Sequence, residues 1–137
     1  MATTIRKLGY YSMKVSNRPG SGAQLLDALK LAGVNLLAFT GFPQPGGAQV
    51  DFVPENDTTF RRAARKAGFK LSARKAVFLI QGDDRTGALT AMADKLAKAR
   101  INLVALDAVT AGKKRFGAIF WVKKQNVARA ARILKAR

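Results

Sequence analysis

The chain repeats itself. Shifted by 67 residues without a gap, Arg18 meets Arg85, Gly20 meets Gly87, Asp27 meets Asp94 and Leu29 meets Leu96. Ala32, Asn35, Leu36 and Ala38 fall on Ala99, Asn102, Leu103 and Ala105, and "RAAR" at 62–65 falls on "RAAR" at 129–132. That makes twelve identities, against roughly 5 expected from ordinary composition. Eight of the twelve lie between residues 18 and 38, where Val34/Ile101 and Leu37/Val104 add conservative matches. A duplication of this length constrains the fold strongly, because both copies must build the same unit.

Each copy reads alike. Tyr10–Val15 and Val77–Gln81 have strand character, and Gly20–Ala32 and Gly87–Ala99 have helical spacing. Second strands follow at "VNLLAF" and "INLVAL". The connections "TGFPQPGGA" and "TAGKKR" predict hairpins into third strands around Val50–Val53 and Phe116–Val122. Second helices are expected at about 57–67 and 125–136. The order β-α-β-β-α, stated twice, predicts an α+β fold of two ferredoxin-like units, 1–73 and 74–137, with antiparallel sheets and helices on one face. Phe69–Ala73 would close the first sheet. The second copy ends in its helix, and the shift maps 69–75 onto 2–8. Thr3–Leu8 is therefore expected to pass over and supply the second unit's edge strand, with a break at Gly9.

Composition narrows the chemistry. The chain has no Cys and no His, and Glu55 is its only Glu. Thiolate nucleophiles, disulfides and the commonest metal ligand and general base are thereby excluded. No catalytic group, cofactor or metal site is expected: not an enzyme. "DFVPEND" at 51–57 reads as a turn and helix start, and 20–22 lack the Lys-Ser/Thr of a P-loop. Asp27 and Asp94 sit mid-helix beside Lys30 and Lys98, which surface ion pairing explains. The net charge of +17 suits solubility or attraction to anionic partners. No apolar run is long enough for a membrane helix, and "MATTIRKLGYY" lacks a secretory core. The expectation is a soluble cytoplasmic protein.

The stretch "SNRPGSG" at 16–22 joins strand to helix. Pro19 and Gly20 are either structural punctuation or the means for a backbone to approach a ligand. Helix-start N–H groups favour a carboxylate, and the amides of Asn17 and Asn35 both donate and accept. Together they suit a zwitterion. In the second copy Asp84 either receives an ammonium group or caps its helix.

"VSNRPGSGAQLLDALKLAGVNLLAF" resembles the ACT domain, with its N-x-P-G turn, helix and "GVN-L" strand. "GDDRTGALTAMADKLAKARINLVAL" is similar, with Asp84 for the turn Asn and Thr86 for Pro. The resemblance implies a tandem ACT protein that binds an amino acid or similar small metabolite and regulates a protein partner, as a homo-oligomer such as a dimer. It places ligand contacts at Asn17, Arg18, Pro19, Gly20 and Asn35, and at Asp84, Arg85, Thr86, Gly87 and Asn102. Some family members carry a His two residues before the turn Asn; Val15 and Gly82 stand there. The resemblance also sets the ligand loops near the boundary between units, whose sheets face or join each other.

A rival resemblance is to the RNA recognition motif, which has the same element order and stacks bases on sheet aromatics. "VFLIQG" (77–82) offers Phe78, and "KRFGAIFW" (114–121) offers Lys114, Phe116, Gly117 and Ile119. Arg115 and Ala118 depart from that pattern, and the first copy has Tyr11 but Asp51. Phe78 and Phe116 exposed on an open sheet would favour RNA. A covered sheet would favour the regulatory reading.

Overall fold

A computed structural model describes residues 3–137. Its elements are β1 (Thr4–Val15), α1 (Ser21–Leu31), β2 (Leu36–Gln44), β3 (Gly47–Pro54) and α2 (Asp57–Ala67), then β4 (Lys75–Asp83), α3 (Thr90–Lys98), β5 (Leu103–Thr110), β6 (Arg115–Val122) and α4 (Val127–Ile133). A 3-10 turn, Lys124–Asn126, leads into α4. The fold is α+β, with antiparallel pairing of β1 with β3, β2 with β3, β4 with β6 and β5 with β6. The chain divides into two compact units, Gly9–Lys75 and a second that gathers residues up to Leu8 with Ala76–Arg137.

In the Gly9–Lys75 unit the strands run β2-β3-β1. Tyr11 and Met13 of β1 are buried alternately along their strand, while Val50 and Phe52 of β3 belong to a run, 50–54, buried on both faces. They pack with Leu29 of α1 and Phe60 of α2. Phe52 and Phe60 are tilted rings 5.2 Å apart, within range for a favourable aromatic pair. Helix α2 is well delimited: the Asn56 side chain accepts the Thr59 N–H at 2.9 Å, and Gly68 ends the helix in the left-handed conformation.

In the other unit the strands run β1-β4-β6-β5. Phe78 and Ile80 of β4 and Phe116, Ala118, Phe120 and Val122 of β6 face Met92 and Leu96 of α3 and Ala130 of α4. Phe78 pairs with Phe120 in register and stacks on it at 5.1 Å. The first half of β1 is tied in at its end: the Lys7 N–H donates to the Arg137 carbonyl at 2.9 Å, and the Arg137 N–H donates to Ile5 at 3.0 Å.

The 67-residue shift reappears in the backbone. Both second strands carry an irregularity at the same step, Leu36/Ala38 and Leu103/Ala105. Positive φ recurs at Gly20 and Gly87, at Gly33 and Arg100, at Gly46 and Lys113, and at Gly68 and Lys135. The turns match bond for bond: Gly33 N–H donates to Lys30 and Val34 to Leu29, while Arg100 donates to Ala97 and Ile101 to Leu96. The "RAAR" identity is less faithful, because Ala64 is the inward alanine of α2 but Ala130 that of α4.

Three expectations need correction. No break occurs at Gly9; β1 runs straight through it. The glycine serves a close approach instead, since a Cβ there would run into the Arg74 guanidinium. Phe69–Ala73 is not a regular strand. Ser72 borrows its place, donating its N–H to the Ser12 carbonyl while its hydroxyl accepts the Ser12 N–H, each at 2.9 Å. The first helix of the second copy is shorter than its pattern: 87–89 form a turn and α3 starts at Thr90.

Candidate ligand site in the second unit

The turn from β4 to α3 is built from the hairpin it leans on. The Asp84 N–H donates to the Lys114 carbonyl at 2.8 Å, and the Arg115 guanidinium holds the Asp83 carboxylate at 3.0 Å. Inside the turn, Ala88 donates its N–H to Arg85 and Thr90 donates to Gly87. Gly87 has φ 72°, and a Cβ there would lie 3.2 Å from the Thr90 hydroxyl. Only glycine takes that conformation without strain.

This turn and the end of β5 flank an open concavity of about 360 Å³. Asp84, Arg85 and Gly87 line it from the turn, and Ala108, Val109 and Thr110 from the strand. Neither helix after these turns has a side-chain cap: the residues before α1 and α3 are Gly20 and Leu89, and no side chain accepts from either helix start. Asp84 therefore does not cap α3. Among the described residues, the Asp84 and Arg85 side chains make no hydrogen bond or ion pair. An uncommitted carboxylate and an uncommitted guanidinium thus share one concave surface with apolar walls. Such a surface matches a small zwitterion, with Asp84 accepting from an ammonium and Arg85 donating to a carboxylate.

Not every expected contact belongs with this group. Thr86 is exposed in the same turn but does not line the concavity. Asn102 follows α3, and Asn35 follows α1, so each stands at the far end of its helix from the turn. For α1 that helix is 11 residues long, about 16 Å at 1.5 Å per residue. Asn35 is also engaged locally, its side-chain amide donating to the Glu55 carboxylate at 2.6 Å while its backbone carbonyl accepts the Glu55 N–H at 3.0 Å. Asn17, Arg18, Pro19 and Gly20 remain exposed in the β1–α1 turn, which is laced by a 2.8 Å Ser16–Ser21 hydroxyl bond. Pro19 lies before the helix rather than in its first turn.

Reading the turn alone misses the parts supplied by the hairpin, namely Lys114, Arg115 and the β5 residues 108–110. The basic "TAGKKR" marked them only as a connection. At Gly82 a Cβ would sit 2.6 Å from the Thr3 hydroxyl and 3.0 Å from the Phe116 ring. A histidine has no room.

The aromatics proposed to stack RNA are inside the protein. Phe78 is 1% and Phe116 6% exposed, both turned toward the helices. On the opposite face Leu79, Ile119 and Trp121 are buried as well, so β4 and β6 present no open stacking platform. The acids of 51–57 are each engaged: Asp51 by Gln49 and Thr40, Glu55 by Asn35, Asp57 by Tyr11 and Arg74. Among the described residues, no helix is long and apolar enough to cross a membrane.

No protein-family model matches the chain, and neither does any curated protein sequence. Solved structures do match in fold. The protein BT0572 from Bacteroides thetaiotaomicron superimposes with a TM-score of 0.77 at 14% identity, over 97% of this chain and 88% of that one. The ligand-free regulatory subunit of aspartate kinase from Thermus thermophilus gives 0.65 at 15% identity, over 98% and 95%. The corresponding subunit from Thermus flavus gives 0.58 at 15% identity, over 98% and 94%. The chain thus shares its fold with these aspartate kinase regulatory subunits.

Proposed function

We propose that the protein is a non-catalytic regulatory protein of two ACT units in tandem, the second borrowing residues 3–8 as its edge strand. It binds an amino acid or a similar zwitterion at the β4–α3 turn. The observation that carries this reading is the pair of unspent side chains, Asp84 and Arg85, on one concave surface beside Gly87. The β1–α1 turn, with Asn17 and Arg18, is the equivalent place in the first copy. The repeated bulge and repeated positive-φ positions support two copies of one unit. The aspartate kinase regulatory subunits that share the fold support a regulatory role. Occupancy would alter binding to a protein partner only through unequal affinity of the ligand for two arrangements of the protein.

A thermal-shift screen of the twenty amino acids tests this, with a single-stranded RNA oligomer alongside. A ligand at one hundred times its Kd stabilises by about 2.7 kcal/mol. The expected result is a hit among the amino acids that Asp84→Asn with Arg85→Gln weakens at least about tenfold, the loss of one charge-assisted bond. Silence from every amino acid, or a hit indifferent to the double variant, would sink the proposal. A salt-sensitive shift from RNA alone would replace it.

A further inference from the structure

A second cavity of about 340 Å³ lies in the same unit, lined by α3, the residues that follow α4 and the start of β1. Its rim carries four cations: Arg85, Lys95, Lys135 and Arg137. No Asp or Glu lines it, and among the described residues none of the four is ion-paired. Beneath them the floor is apolar, formed by Ile80, Met92 and Leu134 of the core with Ile5 of β1. Four cationic residues lining one cavity give it a positive potential, which favours a bound anion.

One rim position also carries a backbone cost. Lys135 has φ 54° at a place where the first copy has Gly68 at φ 77°. A side chain held in the left-handed region is unfavourable, and this one lines the cavity. Lys95 has no such counterpart either; the repeat aligns it with Ala28. The first copy therefore lacks both charges, and the cavity belongs to the second unit.

The geometry points to a binding site for an amphiphilic organic anion, with a carboxylate or phosphate head among the rim cations and a short apolar body on the Ile80–Met92–Leu134 floor. A bare inorganic anion would leave the floor wetted and unused. A neutral apolar molecule would leave the cations unpaired. The combination selects a ligand with both parts. This site is separate from the zwitterion concavity and shares only Arg85 and Ala88 with it.

Sodium octanoate is the probe, with 1-octanol and inorganic phosphate as parallel samples, read by calorimetry and by amide NMR shifts on the full chain. Octanoate should bind saturably, at least about tenfold more tightly than either control, with shifts centred on Ile5, Met92 and Leu134. Lys95→Gln with Lys135→Gln should weaken it roughly tenfold. Arg62→Gln with Arg65→Gln, which removes equal charge from exposed α2 positions, should leave it unchanged. Equal binding of 1-octanol or phosphate, equal loss in both double variants, or shifts centred elsewhere would overturn the site. Arg85 lines both sites, but Lys95 and Lys135 do not line the zwitterion concavity and Asp84 does not line this cavity, so the lysine variants and an Asp84 variant tell the two apart.

Discussion

Tyr11 shows how one residue ties burial to charge. Its ring is 4% exposed, and its hydroxyl donates to Asp57 at 2.8 Å. Arg74 also donates to Asp57, at 3.1 Å, across the space that Gly9 leaves open. Burial first, and then the bond and charge of Asp57, raise the phenol above its ordinary value of 10.0, against the opposing pull of Arg61 and Arg74. The unfolded chain therefore ionises this tyrosine first. The stability it contributes is whole below about pH 10 and is lost as pH rises toward the raised folded value. Tyr11→Phe is expected to cost about 1 kcal/mol at neutral pH, and to flatten the alkaline limb of a denaturant-melt series run from pH 8 upward. Arg100 carries the opposite expectation. It has φ 59° where the first copy has Gly33. Arg100→Gly should raise stability by up to about 1 kcal/mol, the relief of backbone strain less the added freedom of the unfolded chain. An unchanged or lower melting temperature would show that the arginine side chain compensates.

At the scale of elements, helix starts separate structural from ligand-facing residues. Asn56 caps α2 through its side chain, while α1 and α3 have no side-chain cap. Asn56→Ala should therefore cost about 1 kcal/mol, and Asn17→Ala and Asp84→Ala less than about 0.5 kcal/mol, as surface changes do. Chemical denaturation of the three variants checks this, and a large loss at Asp84 would return it to a structural role. Strand β4 makes a second case. A side chain at Gly82 meets both Thr3 and the Phe116 ring, so Gly82→Val is expected to cost about 1–3 kcal/mol by overpacking. Hydrogen exchange should accelerate in β4 and β6 before it does in β3. The elements themselves were largely legible, because α2 matches its pattern at 57–67, and Gly/Pro-rich stretches mark the hairpins. Phe69–Ala73 was not: it has strand-like residues, yet the Ser72 hydroxyl accepts the bond that a strand carbonyl would take.

For the whole molecule, β1 is the segment that matters most, since residues up to Leu8 and residues from Gly9 belong to different compact units. Removing residues before Gly9 should destabilise β4, β6 and α4, where Ile5 packs and where the Lys7 N–H donates to Arg137 and the Arg137 N–H to Ile5. Protection in β3 and α2 should persist. Hydrogen exchange resolved by segment distinguishes this from uniform loss, which would make the two units one cooperative body.

By itself the sequence determined the repeat, the order of elements and the poverty of catalytic groups. These rest on local pattern, residue identity and register, which need no third dimension. Tertiary structure alone decided which polar groups were already spent. Asn35 and Asp84 look equally available in the chain, but Asn35 is bound to Glu55 at the far end of its helix, whereas Asp84 faces a concavity. Phe78 and Phe116 likewise read as stacking or packing residues until the face they occupy is known. Alternation along a strand tells which residues share a side, not which side the helices cover. Nor did local pattern reveal that four cationic residues scattered from 85 to 137 line one cavity with Ile80, Met92 and Leu134. Convergence of distant residues is a property of packing, and only the folded chain contains it.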